Sequence, residues 1–197
     1  MTAQLSFDSA RTAVLCMDFQ SGIVAAYAKD QGAALLARAA SVLERARSLG
    51  MCVIHVRVGF RPGLPEVSAR NVLFNGIRSS SRHQQLFEGP SGEVHPGVGL
   101  HKDDIFVVKH RVSAFRGTDL EVILRAKDVD TLVLFGISTS GVVLSTLLEA
   151  SDADYRLVVI KDCCVDGDAE LHTNLIDKLF TRRATVVSAD EFLAAAN

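Results

Sequence analysis

The sequence lacks an excess of charge of either sign. It carries 21 Lys and Arg residues against 23 Asp and Glu residues, for a formal net charge of −2. Proteins that neutralise nucleic-acid phosphates usually carry a basic excess, so we expect no nucleic-acid partner. The sequence also lacks any run approaching the roughly 18 apolar residues of a membrane span, and no basic stretch at the N-terminus leads into an apolar one. We therefore expect no membrane partner and a cytoplasmic location.

Cysteine is scarce and shows no metal-site or disulfide pattern. The four cysteines are Cys16, Cys52, Cys163 and Cys164. Two of them are neighbours and two fall in predicted buried strands, and no spacing resembles a zinc site or a disulfide framework. We expect reduced, buried thiols.

Proline is scarce as well, and all four prolines fall between Gly59 and Asp104, with seven of the 14 glycines. So long a connection within a compact domain is usually a lid or a subunit contact rather than a linker. Its polar residues Arg78, Arg82, His83 and Gln85 are candidate substrate contacts, and the alternative for each is solvated surface.

Outside that segment, apolar runs alternate with amphipathic stretches. The predicted strands are Thr12–Met17, Met51–Val58, Ile105–Val108, Thr131–Phe135, Tyr155–Ile160 and Ala184–Val187, and the clearest predicted helix is Gly32–Leu49. Strands that alternate with helices at this spacing predict a parallel sheet with helices on both faces. Residues 1–197 fit one α/β domain.

Three predicted strands are followed by polar residues at their carboxyl ends. Asp18 follows the first strand, Lys109 follows the third, and the polar turn Gly136–Gly141 follows the fourth. If these strands are neighbours, a carboxylate, an ammonium and backbone N–H donors converge on one crevice, which suits proton transfer. The alternative for Asp18 is a cap on the following turn.

In combination, four motifs resemble the isochorismatase-like hydrolases of the cysteine hydrolase superfamily. The motifs are Val14–Gln20, Ile54–Arg57, Lys109–Phe115 and Gly136–Thr139. The resemblance implies a six-stranded parallel sheet in a Rossmann-like three-layer sandwich, often assembled as a homo-oligomer, here a dimer or tetramer. It also implies catalytic roles for Asp18 and Lys109, which match two members of the family's Asp, Lys, Cys triad.

The third triad member is where the sequence departs from the family pattern. The family turn looks like Gly-Ile-Ala-Thr-Asn-x-Cys-Val, and counting from Gly136 places Val142 at the cysteine position. Valine has no lone pair with which to attack a carbonyl, so covalent catalysis is closed there. Isochorismatases also lack the cysteine and cleave a vinyl ether by acid-assisted hydrolysis.

The resemblance therefore implies acid–base chemistry by Asp18 and Lys109 on a small anionic or carbonyl-bearing metabolite. The substrate contacts that it implies are Phe19, Gln20, Phe115, Ser138, Thr139, Gly141 and Val142. No cofactor is expected. No metal is expected either, because Val58–Pro62 does not match the Asp-x-His site of nicotinamidases, and His55 is interpreted as a core or sheet-face residue.

Two alternatives remain open. Ser138, Thr139 or Ser140 could replace the missing nucleophile, although no histidine is evident as its partner. The chain could also be a catalytically inactive homologue that binds small molecules or assembles with partners, since fold does not imply function.

Overall fold

The computed structural model describes residues 7–195, which form a six-stranded parallel sheet with helices packed around it. The strands lie in the order β3-β2-β1-β4-β5-β6. They are β1 (Thr12–Met17), β2 (Cys52–Val58), β3 (Ile105–Lys109), β4 (Thr131–Gly136), β5 (Arg156–Ile160) and β6 (Thr185–Val187). The central strands β1 and β4 are buried along their whole length, as continuous apolar runs in a covered parallel sheet should be. The predicted three-layer α/β fold is confirmed.

Helices occupy most of the connections between strands. They are α1 (Ser21–Tyr27), α2 (Gly32–Ser48), α3 (Val72–Arg78), α4 (Ser81–Gln84), α5 (Gly89–Gly92), α6 (Leu120–Ala126), α7 (Leu144–Asp152), α8 (Ala169–Asn174) and α9 (Ala189–Ala195). Helix α2 buries Leu35, Ala39, Val42, Leu43 and Ala46, whose spacing of three and four places them on one face. Within residues 7–195, no helix combines the length and the apolar character needed to cross a membrane.

The fourth strand leads into a wider helical turn before the regular helix begins. Residues Thr139–Val143 form a π-helical turn, and α7 starts only at Leu144. A second π-helical turn, Leu175–Leu179, extends α8. Ser138 caps the first of these π-helical turns, because its side chain accepts the N–H of Gly141.

The long segment 59–104 contains local structure rather than an open loop. Helices α3 and α4 begin where the side chains of Asn71 and Ser80 accept hydrogen bonds from the N–H groups of Phe74 and His83. Gln20 ties the segment to the sheet. Its amide nitrogen donates to the carbonyls of Val58 (3.0 Å) and Gly92 (2.8 Å), and its amide oxygen accepts the Val58 N–H.

Candidate active site

Asp18 lies directly after β1 with its backbone in the left-handed region, at φ 58°. Aspartate tolerates this conformation better than most residues. Its N–H donates to the carbonyl of Val56 at 2.8 Å, which fixes the turn against β2. The carboxylate is nearly inaccessible to solvent, with 7% of the side chain exposed.

Lys109 reaches this carboxylate from a strand that is not next to β1. Strand β2 lies between β1 and β3, and Val58 of β2 pairs with Lys109. Strands β1 and β4 are therefore neighbours, whereas β3 is separated from β1 by one strand. The lysine stem is long enough to cross the end of β2, and Nζ lies 2.8 Å from Asp18 Oδ2 and donates to the carbonyl of Arg111 at 3.2 Å.

Burial and the lysine act on Asp18 in opposite directions. Burial raises the pKa of Asp18 and the neighbouring Lys109 lowers it, and the net direction is a raised pKa. The second carboxylate oxygen, Oδ1, is buried and has no hydrogen-bond partner in the described part of the chain. A buried carboxyl with a raised pKa and an unsatisfied oxygen is suited to hold and transfer a proton.

The turn after β4 packs tightly against β1. A Cβ on Gly136 would come within 2.6 Å of the carbonyl oxygen of Met17, so only glycine permits this approach. Ser138 Oγ accepts the N–H of Gly141 at 3.1 Å, and Asp166 Oδ2 accepts the N–H of Ser140 at 2.7 Å. Two of the N–H groups predicted to bind substrate are therefore already engaged within the protein.

A cavity of about 670 Å³ joins the ion pair to this turn. Asp18, Lys109, Ser138, Gly141 and Val142 all line it. Much of the remaining wall is apolar, formed by Ile23, Tyr27, Val58, Val72, Leu73, Phe74, Ile77, Leu86, Phe87, Val112 and Ile137. Segment 59–104 supplies much of this wall, as a lid would.

Four predicted substrate contacts do not line the cavity. Phe19 is fully buried and packs edge-on against Phe135 in the core, with ring centroids 5.6 Å apart. Gln20 is also fully buried, and its amide is used to anchor segment 59–104. Phe115 packs beside Tyr155, away from the cavity wall. These three residues and Thr139 lie outside the cavity wall, so their predicted substrate contacts gain no support from this cavity.

Thr139 has a different partner that the sequence did not suggest. Its side-chain oxygen lies 2.7 Å from Nδ1 of His172 on α8. His172 is therefore a histidine partner for the turn, which was not evident from the sequence. Thr139 is nonetheless fully buried and absent from the cavity wall, so its hydroxyl is placed to fix the turn rather than to attack a substrate.

One of the four polar candidates in segment 59–104 lines the cavity. His83 lines the cavity, whereas Arg78, Arg82 and Gln85 do not. Asp166, on the loop after β5, lines the cavity and was missed by sequence reasoning. The available signal was the Asp166-Gly167-Asp168 turn that follows a buried strand.

None of the four cysteines contributes to the cavity wall. Cys16, Cys163 and Cys164 are buried, and burial raises the pKa of each thiol, to about 12 for Cys164. These thiols are protonated at neutral pH and are poor nucleophiles. His55 is buried in the sheet, as interpreted.

No metal site stands out in the structure. Over residues 7–195, no three His, Cys, Asp or Glu side chains are grouped so that they could hold a metal ion. The absence of a bound metal stays a prediction.

Comparison with known proteins places this chain in one family. The isochorismatase domain model matches residues 12–191. An uncharacterised isochorismatase family protein of Escherichia coli, YecD, is 34% identical over 97% of this chain and 99% of its own length. Maleamate amidohydrolase of Pseudomonas putida is 29% identical over 85% of this chain and 78% of its own.

A solved structure agrees with these sequence relatives. An isochorismatase family protein from Burkholderia thailandensis superposes with a TM-score of 0.83 over 97% of both chains, at 26% identity. The family model spans nearly the whole chain, from β1 into α9, and so includes every strand of the sheet. The chain belongs to the isochorismatase family.

Proposed function

We propose that this chain is a hydrolase that cleaves a C–O or C–N bond of a small metabolite by acid–base chemistry, without a covalent intermediate. One observation carries the proposal. Asp18 presents a buried, unpaired oxygen beside a cavity, and the same carboxylate is held by Lys109 at 2.8 Å. Burying an ion pair is costly, and this pair stands at the wall of a cavity rather than within the core.

Asp18 is the proposed proton donor and acceptor. The carboxylate, made more basic by its raised pKa, takes a proton from a water molecule as that water adds to the carbon of the bond that breaks. The carboxyl group then gives this proton to the leaving oxygen or nitrogen. The cycle consumes one water molecule and returns Asp18 to the carboxylate that pairs with Lys109. Lys109 stabilises the negative charge of the Asp18 carboxylate while the carboxyl group is deprotonated.

Val142 accounts for the absence of covalent catalysis in this proposal. Its side chain is buried and lines the cavity beside the turn, at the position where sequence counting places the family's cysteine. No thiol takes its place in the cavity wall, which supports a mechanism that uses water directly.

The test is a substrate screen with matched variants. Isochorismate, vinyl ethers, amides and ureides are offered to the wild-type protein and to Asp18→Asn, and each cysteine is replaced in turn by serine or alanine. We expect Asp18→Asn to lower turnover by about 10²–10⁴-fold, the usual contribution of a general acid–base group. We expect the cysteine variants to retain it.

Two results would contradict this function. Loss of turnover on replacing Cys163 or Cys164, with Asp18→Asn still active, would assign the chemistry to a thiol. Saturable ligand binding without turnover of any substrate would favour the inactive binding homologue.

We also propose that the protein forms a homo-oligomer, a dimer or tetramer. Apolar side chains at the cavity wall support this: 88% of Val72 and 61% of Leu73 are exposed. Apolar side chains this exposed in one patch are typical of protein contacts. Light scattering coupled to gel filtration should give a mass of two or four chains, and Leu73→Asp should lower it. A wild-type monomer would contradict the proposal.

A further inference from the structure

Asp166 places a second carboxylate in the wall of the cavity. It lies on the loop after β5, and two backbone N–H groups hold it in place. Oδ2 accepts the N–H of Ser140 at 2.7 Å, and Oδ1 accepts the N–H of Asp168 at 3.2 Å. A carboxylate offers about four acceptor positions, so two remain for a ligand.

The charges that line the cavity do not balance. The ionisable side chains of its wall, besides the phenol of Tyr27, are Asp18, His83, Lys109 and Asp166. Lys109 is used by Asp18 and has only 2% of its side chain exposed. Among the described residues Asp166 has no salt-bridge partner, and two backbone N–H groups donate to its carboxylate.

The apolar remainder of the cavity wall leaves the charge of Asp166 to determine which polar group of a ligand can bind beside it. Apolar side chains from α3 and from residues 86–87 line much of the cavity and offer no hydrogen-bond donor to a second anion. A ligand carboxylate near Asp166 would be repelled by the like charge, whereas an N–H donor would find an acceptor. The cavity therefore suits a compact, largely apolar molecule that ends in an N–H donor.

We propose that Asp166 sets substrate specificity by accepting a hydrogen bond from an amide, ureido or amine nitrogen of the ligand. This inference rests on the proposed function in one respect, that the cavity at Asp18 is the substrate site. It narrows the substrate from the anionic or carbonyl-bearing class expected from sequence to carbonyl compounds and amines that carry N–H groups.

The experiment measures binding rather than turnover, so that it does not depend on catalysis. Benzamide and benzoate share a ring and differ only in the polar group, and their dissociation constants are measured by calorimetry with wild-type protein, Asp18→Asn, Asp166→Asn and Asp168→Asn. We expect benzamide to bind wild type more tightly than benzoate does. Asp166→Asn should tighten benzoate binding about tenfold, equivalent to about 1.4 kcal/mol.

Asp168→Asn is the matched control. Asp168 lies two residues away on the same loop, does not line the cavity, and caps α8 through an oxygen that asparagine retains. It removes the same charge without changing the wall. Benzamide should also shift the backbone amide resonances of Ser140 and Asp168, which donate to Asp166.

Several outcomes would overturn the assignment. They are equal binding of the two probes to wild type, absence of benzamide binding, or an equal gain in benzoate binding from Asp166→Asn and Asp168→Asn. The wild-type comparison stands even if Asp166→Asn fails to fold. Benzamide binding that persists in a protein without turnover would separate the loss of the proposed reaction from the loss of this specificity.

Discussion

Two buried charged clusters lie at opposite ends of the parallel strands, and their hydrogen bonds are satisfied in different ways. At the carboxyl ends of the strands, called here the carboxyl edge, Asp18 pairs with Lys109 and leaves one oxygen unpaired. At the amino edge, Asp104 precedes β3 and contacts Arg47 and His55. Both use a carboxylate with a cation, yet only the first faces the proposed substrate cavity.

The amino-edge carboxylate is fully engaged. Arg47 donates to both oxygens of Asp104, at 2.9 and 2.7 Å, and the His101 N–H and His55 Nε2 each lie 3.0 Å from Oδ2. Burial alone would raise the pKa of Asp104, but Arg47, the His101 N–H and His55 together lower it. The pKa of Asp18 moves the other way because one lysine does not offset its burial.

The contrast separates a structural cluster from a reactive one. A carboxylate whose hydrogen bonds are all made gains nothing from a proton, whereas one with an unpaired oxygen beside a cavity can take a proton or a substrate hydrogen bond. His55 Nδ1 is also buried without a partner in the described structure. When Nε2 donates to Asp104, Nδ1 is a neutral lone pair, which is less costly to bury than a charged oxygen.

The largest stability effect is expected at the amino edge. Asp104→Ala would leave the Arg47 charge and the His55 N–H without their shared acceptor, which should lower the free energy of unfolding by about 3–5 kcal/mol. Asp103→Ala is the control, since this neighbour is exposed and forms only an exposed pair with His101. It should cost less than about 1 kcal/mol. Urea unfolding measures both, and similar losses would remove the distinction between the clusters.

The second prediction concerns the pKa of Asp18 at the carboxyl edge. Lys109→Met removes the cation that lowers the pKa of Asp18, so this pKa should rise further, by roughly 1–3, the effect of one adjacent opposite charge. Carbon-13 NMR of the Asp18 carboxyl group measures the titration directly. Lys102→Met, at an exposed loop position, should leave it unchanged. An unaltered Asp18 titration in Lys109→Met would mean that the lysine does not control its charge.

The sequence predicted the polar residues at the carboxyl edge and the strands themselves, but not the order of the strands. Asp18 and Lys109 each follow a buried apolar run, a local pattern that predicts a polar group at a sheet edge. The continuous apolar runs likewise predicted the strands. Sequence periodicity does not give the strand order, so the separation of β1 from β3 by β2 could not be read from it.

The predicted contacts that lie outside the cavity wall share a physical explanation. Gln20 and Phe19 are close to Asp18 in sequence, but tertiary contacts turn one to the backbone of Val58 and the other to the core. Conversely, Asp166 and His172 come from a distant part of the chain and reach the turn only in the folded sheet. Proximity in sequence is a poor guide to which side chains share a cavity.

The smallest effect is a pair of opposite pH trends in stability. The folded-state pKa of Asp18 lies above its ordinary value of 3.8, so its contribution to the free energy of unfolding is complete at low pH and lost as pH rises through the raised pKa. Burial lowers the pKa of His55 below its ordinary value of 6.5, despite Asp104 and with Arg47 lowering it further. Its contribution is present above 6.5 and lost as pH falls through the lowered pKa.

Urea unfolding at a series of pH values between 3.8 and 6.5 gives the free energy of unfolding as a function of pH. Variants of each cluster then show which cluster causes which change in stability. Asp18→Asn should remove the loss of stability that occurs as pH rises, and His55→Gln the loss that occurs as pH falls. Each effect should be about 1.4 kcal/mol for every tenfold change in proton affinity on folding. His101→Gln, an exposed histidine, is the control and should leave both slopes intact. If Asp18→Asn and His55→Gln flatten the same limb, the two carboxylate clusters titrate as one system and the contrast between their edges fails.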